Sequence, residues 1–193
     1  MATANSQSTT TRRLVETAIM LALATVLSMV KLFHMPLGGS VTLASMLPIC
    51  LIGARYGFKW ALGTSFAYGV VQGALSFADV ASWGIPGWKI AACIALDYVL
   101  AYTALAFAGA FKKDGINGML VGTVFAIMLR FVFHVLSGAL LFAEWMPDNF
   151  DNAWLYSISY NSAFLLPEMA ITLIAAFLVT RAAPIRKLLL GTT

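Results

Sequence analysis

The chain has 193 residues, of which 61% are hydrophobic and 10% charged, and its mean hydropathy is +0.87. A soluble domain carries about 45–50% apolar and about 25% charged residues, so this composition excludes a globular protein in water and describes an integral membrane protein. Twelve Lys and Arg against eight Asp and Glu give +4, but the positive residues are scattered between long apolar runs, which argues against a nucleic-acid partner.

A spanning helix takes about 20 residues, so the chain has room for six spans with short connections and for no separate soluble domain. No Gly-rich loop ending in Gly-Lys-Ser/Thr is present, so nucleotide hydrolysis within this chain is not expected. Residues 1–12 read as a polar tail. The first span runs from Leu14 to Phe33. Arg12-Arg13 before an apolar stretch resembles an export signal, but no convincing cleavage site precedes Lys31, and the segment reads as an uncleaved helix. The second span is short, Val41 to Ala54, with Pro48 inside it. The third covers Phe58 to Phe77, the fourth Lys89 to Phe111, the fifth Ile116 to Phe142 and the sixth Ser157 to Arg181, which completes a membrane domain over residues 13–182. Residues 183–193 form a second tail. All spans are expected to be helices, giving an all-α membrane protein, because lipid offers no partner to an unpaired backbone group. No internal repeat with shared residues is visible.

Counting Lys and Arg sets the orientation. With the N-terminus inside, Arg12, Arg13, Arg55, Lys59, Lys112, Lys113, Arg181, Arg186 and Lys187 are cytoplasmic, which is nine of twelve. Lys31 and Lys89 fall outside, and both termini are expected in the cytoplasm. Cys50 and Cys93 lie within apolar runs and read as small core residues.

Ionisable residues inside spans are costly and mark either function or a buried pair. Asp97 and His134 each lie eight residues in from the outer ends of their spans, about 12 Å deep at 1.5 Å per residue. Asn161 sits nearer the surface, and Arg130 and Glu168 sit deeper. Arg130 and His134 are four apart and share a helix face, and Asn161 and Glu168, seven apart, share another. Two layers follow: Asp97, His134 and Asn161 above, with Arg130 opposite Glu168 below. The lower two read as a structural ion pair, since opposite charges at equal depth can neutralise each other. Asp97 reads either as a carboxylate bonded to His134 or a tyrosine, or as the counter-ion of a cationic ligand. His134 reads as a satisfied core residue or part of a proton relay.

Trp83, Trp88, Trp145, Trp154, Tyr156 and Tyr160 crowd the outer ends. Trp83 and Trp88 fit an interfacial belt. Trp145, Trp154 and Tyr156 stand over His134 and Asn161, and aromatic faces beside one carboxylate suit a flat organic cation. No nucleophile–base pair or metal cluster is expected.

Several segments resemble the thiamin-specific S-components of energy-coupling factor (ECF) transporters: Met35-Pro-Leu-Gly-Gly-Ser-Val-Thr-Leu-Ala-Ser-Met-Leu-Pro48, Leu96-Asp-Tyr-Val-Leu-Ala-Tyr102, Arg130-Phe-Val-Phe-His-Val-Leu-Ser-Gly138, and Tyr156-Ser-Ile-Ser-Tyr-Asn161 with Leu166-Pro-Glu168. The resemblance covers the chain from about Arg13 to Arg181. It implies a six-helix subunit of a bacterial cell membrane that binds thiamin from outside, together with a transmembrane coupling subunit and two cytoplasmic ATPases. It also implies ligand contacts by Asp97, Tyr98, His134, Tyr156 and Asn161, with Trp145 as the stacking indole and Trp154 as its rival. The family's usual acid is Glu, so Asp97 is a shorter variant, which keeps a related vitamin or a thiamin precursor open. Ala18 and Ala22, four apart on the first helix, would form a close-packing surface for the coupling subunit. Gly38 and Gly39 would let the loop Phe33 to Thr42 gate the pocket. No cofactor is implied. A small proton-coupled carrier using Asp97 and His134 is the alternative of a different class.

Overall fold

The structure is a computed structural model that describes residues 2–111 and 114–190. Lys112 and Lys113, counted above for orientation, and residues 1 and 191–193 of the expected tails lie outside the described residues. In chain order the elements are α1 (Ala2–Met29), β1 (Lys31–His34), β2 (Ser40–Thr42), α2 (Leu47–Tyr56), α3 (Phe58–Ser82), α4 (Gly87–Gly109), α5 (Gly115–Leu141), α6 (Ala153–Arg181) and α7 (Ala183–Leu190). The protein is α-helical. Among the described residues α4, α5 and α6 are long and apolar enough to cross a membrane, while α2 is apolar but only 10 residues long.

The first span differs from expectation. The helix stops at Met29, and Lys31–His34 becomes a strand paired antiparallel with Ser40–Thr42. The apolar residues after Met29 satisfy their backbone across the hairpin, and Leu43 N–H extends the pairing by donating to Val30 O. Pro36 opens a 3-10 turn at the tip, and Gly38 closes it at φ +93°, a conformation that favours glycine. β1 is exposed throughout, whereas Val41 and Thr42 of β2 are buried. The segments expected as tails are also helical: residues 2–12 continue α1, and Ala183–Leu190 form α7, which buries Leu189 against α2 and α6.

One face of α3 holds α1 through polar contacts at helical spacing. Trp60 Nε1 donates to Thr17 Oγ1 at 2.9 Å, Tyr68 Oη to Ala24 O at 3.2 Å, and Gln72 Nε2 to Ser28 Oγ at 2.9 Å. Glu16 adds a link at the end opposite the hairpin, accepting from Arg55 and Tyr56. The core fills the centre of the bundle, with Met46, Ile49, Tyr68, Leu105 and Ile127 each 1% exposed or less.

Close approach around α4 rests on small residues. A Cβ at Gly53 would lie 2.9 Å from Gly109 N, and one at Gly122 would lie 2.7 Å from Ala108 O. α4 itself is unevenly wound. Its first turns are α-helical, Ile94–Leu100 is a π-helix, and Ala104–Gly109 tightens to 3-10. Ala101 N–H reaches back to Leu96 O, and Thr103 Oγ1 caps Val99 O at 2.6 Å. π-segments of this kind occur often at functional sites. Here the widened turn carries Asp97 and Tyr98.

Candidate functional site: a polar, aromatic cavity under the hairpin

A cavity of about 170 Å³ lies beneath the hairpin, walled by α1, α3, α4, α5 and α6. Asp97, Tyr98, His134, Trp145, Tyr156 and Asn161 all line it, as do Gly38, Gly39 and Arg130. Glu168, Ala18, Ala22 and Trp154 are not in the lining. Trp154 is 46% exposed and points away, so of the two candidate indoles only Trp145 faces the cavity. Ala18 and Ala22 lie on the exposed side of α1, between Val15, Ile19 and Val26, which are 52–59% exposed.

Asp97 is the only carboxylate among the described lining residues. Its Oδ1 lies 2.8 Å from His134 Nδ1, and its Oδ2 accepts from the Ser137 hydroxyl and, at 3.3 Å, from the Cys93 thiol. Ser137 follows His134 by three residues, so one face of α5 supplies both partners. His134 Nε2 in turn accepts from Arg130 Nε at 3.2 Å. Both ring nitrogens are engaged, and His134 offers the cavity a ring face, with Phe164 edge-on at 5.9 Å.

The expected ion pair between Arg130 and Glu168 is corrected by the structure. No salt bridge joins them among the described residues. The Arg130 guanidinium lies over the Tyr102 ring, 4.1 Å from its centroid. Glu168 Oε1 accepts from Thr42 Oγ1 at 2.6 Å and from Ser45 Oγ at 3.3 Å. Equal depth on two helices does not fix which way their side chains turn. β2 and the turn after it bring hydroxyls to Glu168, while α4 brings an aromatic face to Arg130.

The wall nearest the hairpin is aromatic. Trp83, Phe142 and Trp145 form a cluster, with Trp83 5.8 Å from Phe142 and 6.1 Å from Trp145 in edge-on geometry. Trp145 sits in a 3-10 turn whose Glu144 pairs with Lys89 of α4 at 2.8 Å. The belt reading therefore fits Trp88, which is 63% exposed, and fails for Trp83, which lines the cavity. Sequence alone could not separate them, because both are outer-end tryptophans. Asn152 caps α6, its Oδ1 accepting from Trp154 and Leu155 N–H. That start sets the phase that turns Tyr156, Tyr160 and Asn161 inward. Asn161 Nδ2 donates to Ser157 O at 2.8 Å and to His134 O at 3.3 Å, and neither bond uses its Oδ1.

Tyr160, which carried no assigned role in the sequence, holds the hairpin tip. Its hydroxyl accepts from Gly39 N–H at 3.1 Å and donates to Pro36 O. Gly39 fits closely: a Cβ there would lie 2.9 Å from both Phe164 Cδ1 and Tyr160 Oη, so any larger residue would have to displace those rings. Lys31, Gln72 and Ser76 add to the polar lining, with Ser28, Ser40, Thr42 and Ser157. The cavity can hold a flat, polar, positively charged molecule between indole and imidazole faces beside one carboxylate. Among the described residues no group of His, Cys, Asp or Glu is placed to hold a metal ion.

Residues 14–187 match the family model described as "Thiamine transporter protein". The chain is 34% identical over 188 residues to the thiamine transporter ThiT of Bacillus subtilis (strain 168), covering 89% of this chain and 92% of the relative. The solved structure of ThiT from Listeria monocytogenes superposes with a TM-score of 0.73 at 22% identity, covering 92% of this chain and 98% of that one, and it shows the shared fold. The extent of the family match and of the Bacillus relationship establishes that this chain is a membrane protein belonging to the thiamine transporter family.

Proposed function

We propose that the chain is the thiamin-binding subunit of an ECF-type uptake transporter in a bacterial cell membrane. It captures thiamin from outside and delivers it together with a transmembrane coupling subunit and two cytoplasmic ATPases. Support comes from the name of the Bacillus subtilis relative and from the cavity, whose single carboxylate sits among aromatic rings. In this reading α1 to α6 make six spans with both termini in the cytoplasm. α2, about 15 Å long at 1.5 Å per residue, is completed by the buried β2 strand before it. The chain itself catalyses nothing, and ATP hydrolysis belongs to the partners. The exposed Ala18 and Ala22 give the coupling subunit a surface for close helix approach.

In the bound state Asp97 balances the thiazolium charge. Trp145 and Trp83 cover the ring system, and Tyr98, Tyr156 and Asn161 bond the polar edges of the aminopyrimidine and hydroxyethyl groups. The hairpin with Gly38 and Gly39 closes over the ligand and slows its escape, because opening must precede release.

Titration of the purified protein with thiamin, read by tryptophan fluorescence, tests the proposal. Saturable quenching without ATP is expected. No saturable response to thiamin, alongside one to riboflavin or biotin, overturns it. The 2.8 Å contact between Asp97 and His134 also suits a small proton-coupled carrier. Thiamin uptake into vesicles that hold only this chain, driven by a pH gradient, would favour that second reading.

A further inference from the structure

His134 stands between two groups that make different demands on its protons. Nδ1 faces the Asp97 carboxylate at 2.8 Å, and Nε2 faces Arg130 Nε at 3.2 Å. A carboxylate can take the Nδ1–H of a neutral imidazole or of an imidazolium, so the Asp97 contact does not by itself fix whether Nε2 carries a proton. A guanidinium has donors and no acceptor. The nitrogen that faces it must therefore be the bare one, and the single ring proton sits on Nδ1.

We propose that Arg130 is a positioning residue. By donating to Nε2 it holds His134 as the neutral Nδ1–H imidazole, so the histidine does not offset the Asp97 charge, which stays available to a cationic ligand. The inference rests on the thiamin-binding reading above for its ligand and on geometry for the tautomer. Arg130 is 5% exposed, and its plane is set by the Tyr102 ring 4.1 Å away. Its Nη1 has no hydrogen-bond partner among the described residues, and no salt bridge there joins the guanidinium to a carboxylate. Glu168 is engaged by Thr42 and Ser45. An imidazolium at position 134 would set N–H against N–H and place a second positive charge one hydrogen-bond length from the first.

The other ionisable groups around the histidine leave this assignment intact. α4 contributes Cys93, Tyr98 and Tyr102 besides Asp97. α3 contributes Tyr68, α2 Cys50, α6 Tyr156, Tyr160 and Glu168, and the hairpin Lys31. None of them bonds His134 among the described residues, and Asn161 meets only its backbone carbonyl.

The test is nitrogen NMR of the full chain labelled with 15N-histidine, in detergent at neutral pH, with His34→Gln to remove the other histidine. In otherwise wild-type protein Nδ1 should carry the proton and Nε2 none. Arg130→Met should protonate Nε2 and weaken thiamin binding by about tenfold, the scale of one charge-assisted contact. Arg130→Lys restores a donor toward Nε2 and should recover the wild-type pattern and much of the affinity. A proton on Nε2 in the Arg130-containing protein, or an Arg130→Met spectrum unchanged at Nε2, overturns the proposal. Should Arg130→Met fail to fold, the Arg130-containing spectrum decides alone. Absence of thiamin binding with the expected tautomer in place would count against the proposed function and leave the role of Arg130 standing.

Discussion

Tyr160→Phe should speed the release of thiamin. The substitution keeps the ring, and with it the packing against Tyr156 at 6.1 Å and Phe164 at 5.9 Å. It removes only the hydroxyl that joins α6 to the hairpin tip through Gly39 N–H and Pro36 O. Each such bond contributes about 0.5–1.5 kcal/mol net, so the closed hairpin loses about 1–3 kcal/mol relative to the open one. At about 1.4 kcal/mol per factor of ten, the open fraction rises roughly 5- to 150-fold. Release limited by opening should quicken by the same factor. Stopped-flow tryptophan fluorescence reads this after preloaded protein is mixed with a large excess of a non-quenching competitor. Because Tyr160 also lines the cavity, a second reading without ligand is needed: a spin label at the exposed His34 should gain mobility in the variant. An unchanged release rate together with unchanged label mobility, in protein of normal melting temperature, refutes the reasoning.

Asp97→Asn keeps the shape of the site and removes its one carboxylate. Thiamin affinity should fall by roughly 10- to 150-fold, matching about 1.5–3 kcal/mol for a contact with a charged group, and isothermal titration calorimetry reads it. Trp145→Phe and Trp83→Phe should each cut the amplitude of thiamin-induced quenching, whereas Trp154→Phe should leave it unchanged, since Trp154 stands 46% exposed outside the cavity. Gly122→Ala should lower the melting temperature, because its Cβ would lie 2.7 Å from the Ala108 carbonyl and overpacking costs about 1–3 kcal/mol. Gly63→Ala, on α3 with open space around it, is the matched control and should leave stability unchanged or slightly raised.

Sequence by itself determined the features that depend on composition and on local periodicity. Lipid demands long apolar helices, and α4 to α6, which are long and apolar enough to cross a membrane, begin and end close to where their apolar runs do. Spacing of four put Arg130 and His134 on one face, and several aromatic residues near one end of the spans line the cavity beneath the hairpin. Three other features depend on how one helix is rotated against another, or on backbone pairing between segments. The apolar run through Phe33 is equally compatible with helix and strand, and pairing with Ser40–Thr42 makes it a strand. The π-turn at Ile94–Leu100 has no signature of its own, and it rests on Gly69, whose missing side chain lets α3 approach the carbonyls of Tyr98 and Val99. Arg130 and Glu168 share a depth but not a direction. Tertiary packing turned one toward Tyr102 and His134 and the other toward Thr42 and Ser45, because a buried charge adopts whichever partners the surrounding helices present, and depth along the chain carries no information about azimuth.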